Sequence, residues 1–544
     1  MERSQIPNAA RASNLAANQP GENATAILPA AVSTQHSLPQ ATSSAEYIVG
    51  EVRKHKLGIS LGALALLALI GVGAWFIYNR AASSKQIESI AVLPFVNESG
   101  NADVEYLSDG MTEMLIRSLS QLPNLNVKPR SSVFRYKGKD TDLQTIAKEL
   151  NVQAILNGRV VQRGDRLTLS LELVDAAQDK VIWTEQYQRK ASDLVSLQSE
   201  IAKDVSTNLK AKLSGAEQTK VTQAATTDPE AYQAYLKGRY YWNRRTSGNL
   251  KKAIEQFKAA TDRDPNYALA FAGLADCFAL LNEYAGVPVA EAAPQARSYA
   301  ERAIAIDESL AEPHATLGTI NKQLWQWAEA EKEFKRAIAL NPNYATAYHW
   351  YSITLLYLGR KDESLAMIQR AREIDPLSSI IASVFAWVQQ SRGNHQASID
   401  TSLKLIELDP NFGSAYYILG RSYLKTGRSA EAVAAVEKAA QLTDRYGFVL
   451  GNLGYVYAAT GKRAEALAII KELEGKYARK EANGLPIAAV YAGLGQQDKA
   501  FEWLEKDFQN RDGYLPDITV SIPLESLRGA ARFKDLLRRM NLPE

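Results

Sequence analysis

One column of residues recurs every 34 positions along the C-terminal half of the chain. Its members are Glu308, Pro342, Pro376, Pro410, Asp444, Ala478 and Asp512. A fixed period of this length is typical of repeat proteins, in which each unit packs only against its neighbours. The period constrains the fold more than any single residue does, because it predicts a stack of similar helical units.

Small and aromatic residues stand at fixed offsets within this period. The unit that ends at Pro342 has Leu317 and Gly318 before Ala330 and Phe334. Later units repeat the pattern, with Leu419, Gly420, Tyr423, Ala432 and Ala439 in one and Leu453, Gly454, Tyr457 and Ala466 in the next. Small residues let paired helices approach closely, and proline ends the second helix because it lacks an amide donor. The pattern resembles the tetratricopeptide repeat (TPR) and predicts about eight helix pairs over residues 233–514, stacked as an all-α superhelix.

Some units depart from the pattern. Gly238 stands three residues early in the first unit, and the second unit has an insertion around Gly286. The fifth unit is the weakest match, because Ser398 and Leu405 stand where alanines are expected. Beyond the last unit, residues 515–544 are predicted to form a C-terminal cap that carries a charged helix, as the end of a solenoid requires.

A long apolar run precedes the folded part of the chain. Residues 57–78 contain no charged side chain, and a helix of that length spans a hydrocarbon core of roughly 30 Å. The alternatives are a buried core helix and a cleaved signal peptide, and the length of the run and the residues before it argue against both. We predict a single-pass inner-membrane anchor, with residues 1–50 as a disordered tail.

Flanking charges indicate the orientation of this anchor. Arg53, Lys54 and Lys56 lie on its near side, and Arg80 and Lys85 lie on its far side. The bias favours a cytoplasmic N-terminus, which would place the C-terminal domains in the periplasm.

The segment between the anchor and the repeats alternates strands with helices. A buried strand is expected at residues 89–95, a helix from about Ser108 and another at residues 143–150. Residues 159–174 predict a hairpin around Gly164 and Asp165. A closing helix is expected at residues 193–213, so residues 88–213 are predicted to form a small α/β domain.

This segment resembles the TolB-like amino-terminal domain of bacterial membrane-anchored TPR proteins. The resemblance rests on the phrases IAVLPFVNESG, EYLSDGMTEMLIRSLSQLPNLNVKPRSSVFRYKG, ILNGRVVQRGDRLTLSLELVDA and WTEQYQRKASDL. The resemblance implies a domain placed between a membrane helix and a TPR array, in a family whose members can carry a Ser/Thr kinase, a DNA-binding domain or a nucleotide cyclase. We expect the chain to correspond to the extracytoplasmic half of a TPR-containing kinase receptor, because residues 1–50 are too few for such a domain.

Motifs for catalysis are missing from the sequence. It has no Gly-rich phosphate loop, no His-Glu-x-x-His and no Cys-x-x-Cys. Asp109 and Glu113 lie one helical turn apart and could bind a cation, although Asp109 is better explained as a residue that starts a helix. Cys277 is expected to be a small core residue. A net charge of +3 gives no reason to expect a nucleic-acid partner. We predict no enzyme activity, cofactor or metal site, and the oligomeric state stays open.

Function is therefore expected in binding. In TPR arrays the first helix of each pair lines the concave face, and the columns there predict a peptide groove formed by His349, Trp387, Tyr417, Arg421 and Tyr455. The alternative is that Trp387 and Tyr455 only pack between repeats. Two functions follow: a membrane-anchored scaffold for a protein or peptide partner, or a sensory subunit whose kinase or DNA-binding domain is on another chain.

Overall fold

The computed structural model describes residues 67–70, 72, 87–122, 124–176, 178–209, 225–244 and 246–544. The chain divides into two compact units, residues 1–84 and residues 85–544. The predicted tail at residues 1–50 lies outside the described residues. Of the predicted anchor only residues 67–70 and 72 are described, and they are helical and exposed. Within the described ranges, no helix is both long and apolar enough to cross a membrane.

A six-stranded sheet forms the centre of the α/β domain. The strands are β1 (Ser89–Val92), β2 (Val96–Asn97), β3 (Asn126–Val127), β4 (Ala154–Arg163), β5 (Arg166–Asp175) and β6 (Lys180–Lys190). Their order is β3-β1-β4-β5-β6, and β2 also pairs with β4. β1 runs parallel to β3 and β4, whereas β4, β5 and β6 are antiparallel neighbours. The predicted hairpin and the strand after it are thus confirmed. The predicted first strand is present, but it ends at Val92 and not at residue 95.

Four helices accompany the sheet: α1 (Glu105–Ser120), α2 (Arg130–Val133), α3 (Leu143–Leu150) and α4 (Leu194–Asn208). α3 has the predicted bounds because the side chain of Asp142 caps its first turn and Asn151 ends it in the left-handed conformation. The predicted start of α1 near Ser108 was wrong. That helix begins at Glu105, after a 3-10 turn capped by Asn101. Asp109 therefore lies inside α1 and does not start it.

Eight helix pairs follow. They are α5 (Pro229–Trp242) with α6 (Ser247–Arg263), α7 (Ala268–Ala285) with α8 (Val289–Ile306), α9 (Glu312–Gln323) with α10 (Trp327–Leu340), α11 (Ala345–Tyr357) with α12 (Lys361–Ile374), α13 (Ser379–Ser391) with α14 (His395–Leu408), α15 (Gly413–Lys425) with α16 (Ser429–Leu442), α17 (Gly447–Ala459) with α18 (Arg463–Ala478), and α19 (Gly484–Gly493) with α20 (Gln497–Gln509). Two 3-10 turns (Leu515–Thr519 and Ile522–Leu527) and the helix α21 (Ala531–Arg539) complete the chain.

The helices of the fourth to the eighth pair are joined by turns that contain a left-handed residue. Gly359, Gly393, Gly427, Gly461 and Gly495 all have positive φ and are 34 residues apart. Glycine adopts this conformation without the steric cost of a Cβ atom. The position one period earlier is Trp325, with φ of 61°. Its ring stacks on Phe508 of α20 at 5.3 Å, so the strained tryptophan lies where the third pair meets the eighth.

The fifth repeat forms a helix pair despite its weak match to the pattern. Ser398 and Leu405, which replace the expected alanines, are both buried. The hydroxyl of Ser422 donates a hydrogen bond to that of Ser398 (3.0 Å), so the polar group in the core is satisfied. Cys277 is buried on α7, as expected for a core residue.

Candidate functional site on the inner face

The first helices of the pairs lie on the inner side of the curved array. Consecutive first helices contact one another, for example α7 with α9 and α17 with α19. Direct contact between them fits the tighter side of the curve. The array curls until its third pair reaches its eighth, where Trp325 stacks on Phe508. Its inner face is therefore enclosed rather than open.

All five predicted groove residues lie on first helices. His349 is on α11, Trp387 on α13, Tyr417 and Arg421 on α15, and Tyr455 on α17. His349 and Arg421 are buried, and the three aromatic residues are half-buried.

Aromatic contacts join this face from helix to helix. Trp387 makes an edge contact with Tyr357 at 6.0 Å, and Tyr417 makes one with Phe448 at 5.6 Å. The guanidinium of Arg421 lies 5.3 Å from the Tyr417 ring centre. Tyr417, Arg421 and Phe448 thus form one surface, whereas Trp387 packs at a distance from it along the array.

The space in front of this surface is filled by the chain itself. Residues 515–527, here called the inner segment, comprise two 3-10 turns. The first turn contacts α11 and α20, and the second contacts α19. Leu515, Ile518, Leu524 and Leu527 of this segment are fully buried. Lys425 of α15 forms an ion pair with Glu525. A peptide can therefore reach the predicted groove only after the inner segment has moved out of it.

The rest of the C-terminal region closes the end of the array. Arg539 of α21 forms an ion pair with Glu505 of α20 at 2.7 Å. The indole Nε1 of Trp327 donates a hydrogen bond to the carbonyl of Met540 (2.8 Å). The predicted helix within residues 533–539 is thus confirmed. The segment before it was interpreted as part of the same cap, and it instead lines the inner face.

A small cavity remains between the inner segment and the array. Arg421, Asn452 and Pro486 line it from the array, and Asp517 and Pro523 line it from the segment. Arg421 Nε and Asn452 Oδ1 are buried and have no hydrogen-bond partner among the described residues. The inner segment therefore leaves two polar atoms unsatisfied on the surface of the array against which it packs.

Asp517 is the acidic group of this cavity. Burial raises its pKa from 3.8 to about 6, although Arg421 and Arg528 oppose the shift. Because the folded-state pKa lies above the ordinary value, protonation favours the buried position. Burial of protonated Asp517 therefore contributes fully to the free energy of unfolding below about pH 4. This contribution is lost as the pH rises through about 6.

We expect the variant Asp517→Asn to isolate this effect. Asparagine is neutral and similar in shape, so its docking does not depend on the protonation of this site. The variant should match the wild type near pH 4 and exceed its free energy of unfolding by about 3 kcal/mol above pH 7. Urea unfolding of both proteins at several pH values measures the difference. A constant difference across this range would contradict the assignment.

The α/β domain covers another part of the inner face. Arg239 of α5 donates a hydrogen bond to Glu113 of α1 at 2.7 Å, and Asn243 donates a second at 2.8 Å. Arg130 completes the group, 3.3 Å from the same carboxylate. Burial alone would raise the pKa of Glu113, but Arg239 and Arg130 outweigh it and lower the pKa. Glu113 is thus an ionised group at the centre of a buried joint between the two domains.

Further contacts extend this joint along the array. Arg117 pairs with Glu312 at the start of α9. The hydroxyl groups of Ser131 and Ser132 donate to Asp375 at the end of α12. The hypothesis that Asp109 and Glu113 together bind a cation is not supported, since Asp109 pairs with Lys137 and Glu113 pairs with Arg239. Among the described residues, no cluster of three metal-ligating side chains exists.

The inner segment was not predicted to be part of the site. One signal was available: residues 515–527 read LPDITVSIPLESL, with apolar residues too frequent for an exposed cap. Lys425, Phe448 and Asn452 were also missed, because they lie outside the columns that the 34-residue period placed on the inner face.

Comparison with protein families identifies the repeats. Two tetratricopeptide repeat models match, one over residues 397–516 and one over residues 235–311 and 323–379. A third, described as HilA/YgeH-like transcriptional regulator, second domain, matches residues 85–204. The chain is thus a tetratricopeptide repeat protein with an α/β domain similar to part of a transcriptional regulator. The resemblance to TolB-like domains stays a prediction.

Two curated relatives cover parts of the chain. A Rhizobium meliloti (strain 1021) protein, provisionally named adenylate cyclase 3, is 31% identical over 246 residues, which are 45% of this chain and 42% of the relative. Anaphase-promoting complex subunit 3 of Schizosaccharomyces pombe is 25% identical over 138 residues, which are 25% of this chain and 19% of that protein. The chain spans less than half the length of either relative.

Two solved structures are similar to part of the chain. YrrB, described as a TPR protein with an unusual peptide-binding site, is 18% identical, with 36% of this chain and 97% of YrrB covered and a TM-score of 0.27. A tetratricopeptide repeat protein from Parabacteroides merdae is 17% identical, with 49% of this chain and 99% of that chain covered and a TM-score of 0.36.

Proposed function

We propose that this protein is a regulatory interaction scaffold that binds a protein or peptide partner on the inner face of its repeats. We also propose that residues 57–78 tether it to the inner membrane, with the N-terminus cytoplasmic and the folded domains in the periplasm. The apolar run and its flanking charges support the tether. The repeats support the scaffold, because TPR arrays act in protein–protein interaction.

The buried joint between the domains carries the regulatory part of the proposal. One hydrophobic core includes Ile90 and Ile155 of the sheet together with Leu236 and Phe257 of the first repeat. Gly110 of α1 approaches Leu236 so closely that a Cβ atom there would lie 2.9 Å from its Cδ2. A partner that alters the curvature of the array would therefore also change the packing of the α/β domain, since the two share one hydrophobic core.

A second function follows from the comparisons. The match of residues 85–204 to a regulator domain, and the relative provisionally named adenylate cyclase, favour a sensory subunit in a signalling system. In this case the output domain is a cyclase, kinase or DNA-binding domain on another polypeptide. We propose no catalytic activity for the residues of this chain, and chemistry would belong to that output domain.

Cross-linking in intact cells tests the scaffold proposal. Photo-reactive groups placed at Tyr417 and at Trp387 of the full chain should capture the same partner, because both residues lie on the inner face. A group placed at the exposed Leu467 of α18 serves as the control. Capture that is equal at all three positions would overturn the inner-face proposal. Protease accessibility of residues 225–544 in spheroplasts tests the proposed location separately.

A further inference from the structure

The inner segment has the composition of a bound peptide. Its apolar residues Leu515, Ile518 and Leu524 are fully buried against the array. Asp517 stands between the first two, and Glu525 follows the third. Backbone hydrogen bonds run within the segment, as from Val520 N to Asp517 O (3.0 Å) and from Ser521 N to Asp517 O (2.8 Å). Side chains therefore supply the contacts that hold it to the array.

The fit of this segment is incomplete at its acidic residue. Arg421 is 2% exposed and Asn452 is 4% exposed, and each has an unpartnered polar atom beside the cavity that Asp517 lines. A buried guanidinium nitrogen that lacks an acceptor is costly, and a carboxylate is the acceptor that arginine binds best. The array thus offers a better contact to a carboxylate than its own segment uses.

We propose that residues 515–527 are an intramolecular ligand, and that the natural partner displaces them with a peptide that presents a carboxylate to Arg421 between apolar side chains. This inference rests on the proposed function and names the chemistry of the partner. Covalent attachment gives the inner segment a high effective concentration, so a competing peptide binds weakly until the segment is loosened. Occupancy of the site is then set by competition.

A labelled peptide with the sequence LPDITVSIPLESL is the probe. It is added to the full chain and to the variant Ile518→Asp/Leu524→Asp, which places carboxylates at two fully buried positions and so releases the segment without changing the array. We expect the released variant to bind the probe at least tenfold more tightly than the wild type. The matched control Ser526→Asp, at an exposed position of the same segment, should bind like the wild type.

A second peptide tests the carboxylate. In it Asp517 is replaced by glutamate, which reaches one methylene further toward Arg421 Nε. It should bind the released variant at least threefold more tightly than the first peptide, and this gain should vanish when Arg421→Gln is added. A glutamate peptide without this gain would overturn the assignment of Arg421.

Folding of the released variant is checked by circular dichroism, and Leu524→Ala provides a milder release that should give intermediate affinity. A folded variant that binds the probe no better than the wild type overturns the intramolecular ligand. If release strengthens probe binding while no cellular cross-link depends on the inner face, residues 515–527 are still an intramolecular ligand, but the scaffold proposal fails together with the partner that would displace them. If an inner-face partner exists but release leaves its capture unchanged, the inference fails alone.

Discussion

Glu113→Ala is expected to lower the free energy of unfolding by about 3–5 kcal/mol, because it leaves two arginines in a buried joint without their carboxylate. Arg239 and Arg130 both face Glu113, and the two domains meet around this group. The loss should be larger than that from truncating an ordinary surface side chain, since only 19% of the Arg239 side chain and 26% of the Arg130 side chain are exposed. Urea unfolding with circular dichroism as the readout measures the change.

Two further variants serve as comparisons for Glu113→Ala. Glu113→Gln keeps an acceptor for Asn243 and should lose less than alanine does. Glu200→Ala removes a carboxylate from the exposed pair with Arg189 and should cost only about 0–1 kcal/mol. Equal effects of Glu113→Ala and Glu200→Ala would mean that the joint does not hold the domains together. Acid should also weaken the joint, because Glu113 has a lowered pKa and its stabilising contribution is lost as the pH falls through that value.

Phe257→Ala, at the start of the array, is expected to lower the free energy of unfolding by about 3–5 kcal/mol. The ring of Phe257 on α6 is fully buried between Gly238 of α5 and Gly273 of α7. A Cβ atom built on either glycine would lie 2.5 to 2.6 Å from this ring. The phenylalanine thus joins the first repeat to the second, and its removal leaves a cavity that three helices surround.

A double-mutant cycle tests this contact directly. Gly238→Ala alone should destabilise the protein because the new methyl group meets the ring, and Gly238→Ala in the Phe257→Leu background should cost less. Phe385→Ala on α13 is the control, since that ring is half-buried and lies against Arg372. Additive effects of the Gly238 and Phe257 substitutions would contradict the packing described for them.

Much of the fold could be predicted because its signals are local. The 34-residue period marks pairs of helices, and Gly359, Gly393 and Gly427 mark their turns by backbone conformation. The hairpin of β4 and β5 follows from alternating side chains around Gly164. The start of α1 could not be predicted as well, since its cap is Asn101 and a 3-10 turn intervenes. Asp109 had the residue type that favours a helix start, but it lies inside the helix and pairs with Lys137.

The site was only partly predictable, because only those of its features that depend on local sequence signals could be foreseen. Tyr417, Arg421 and Tyr455 were placed on the inner helices, because position within the period fixes the face of each helix. What covers them depends on contacts across long stretches of sequence. Lys425 meets Glu525 and Trp327 meets Met540, and no local pattern relates these partners.

The sequence by itself determined the repeat, the side of each helix that faces inward and the α/β domain before the array, since each is set by periodic contacts between near neighbours. Only the tertiary structure decided that the inner face is occupied. The α/β domain reaches it through Glu113 and the C-terminal segment through its buried leucines, and both are long-range packing events. The curvature of the whole array brings these parts together, and curvature is the sum of many small repeat-to-repeat rotations.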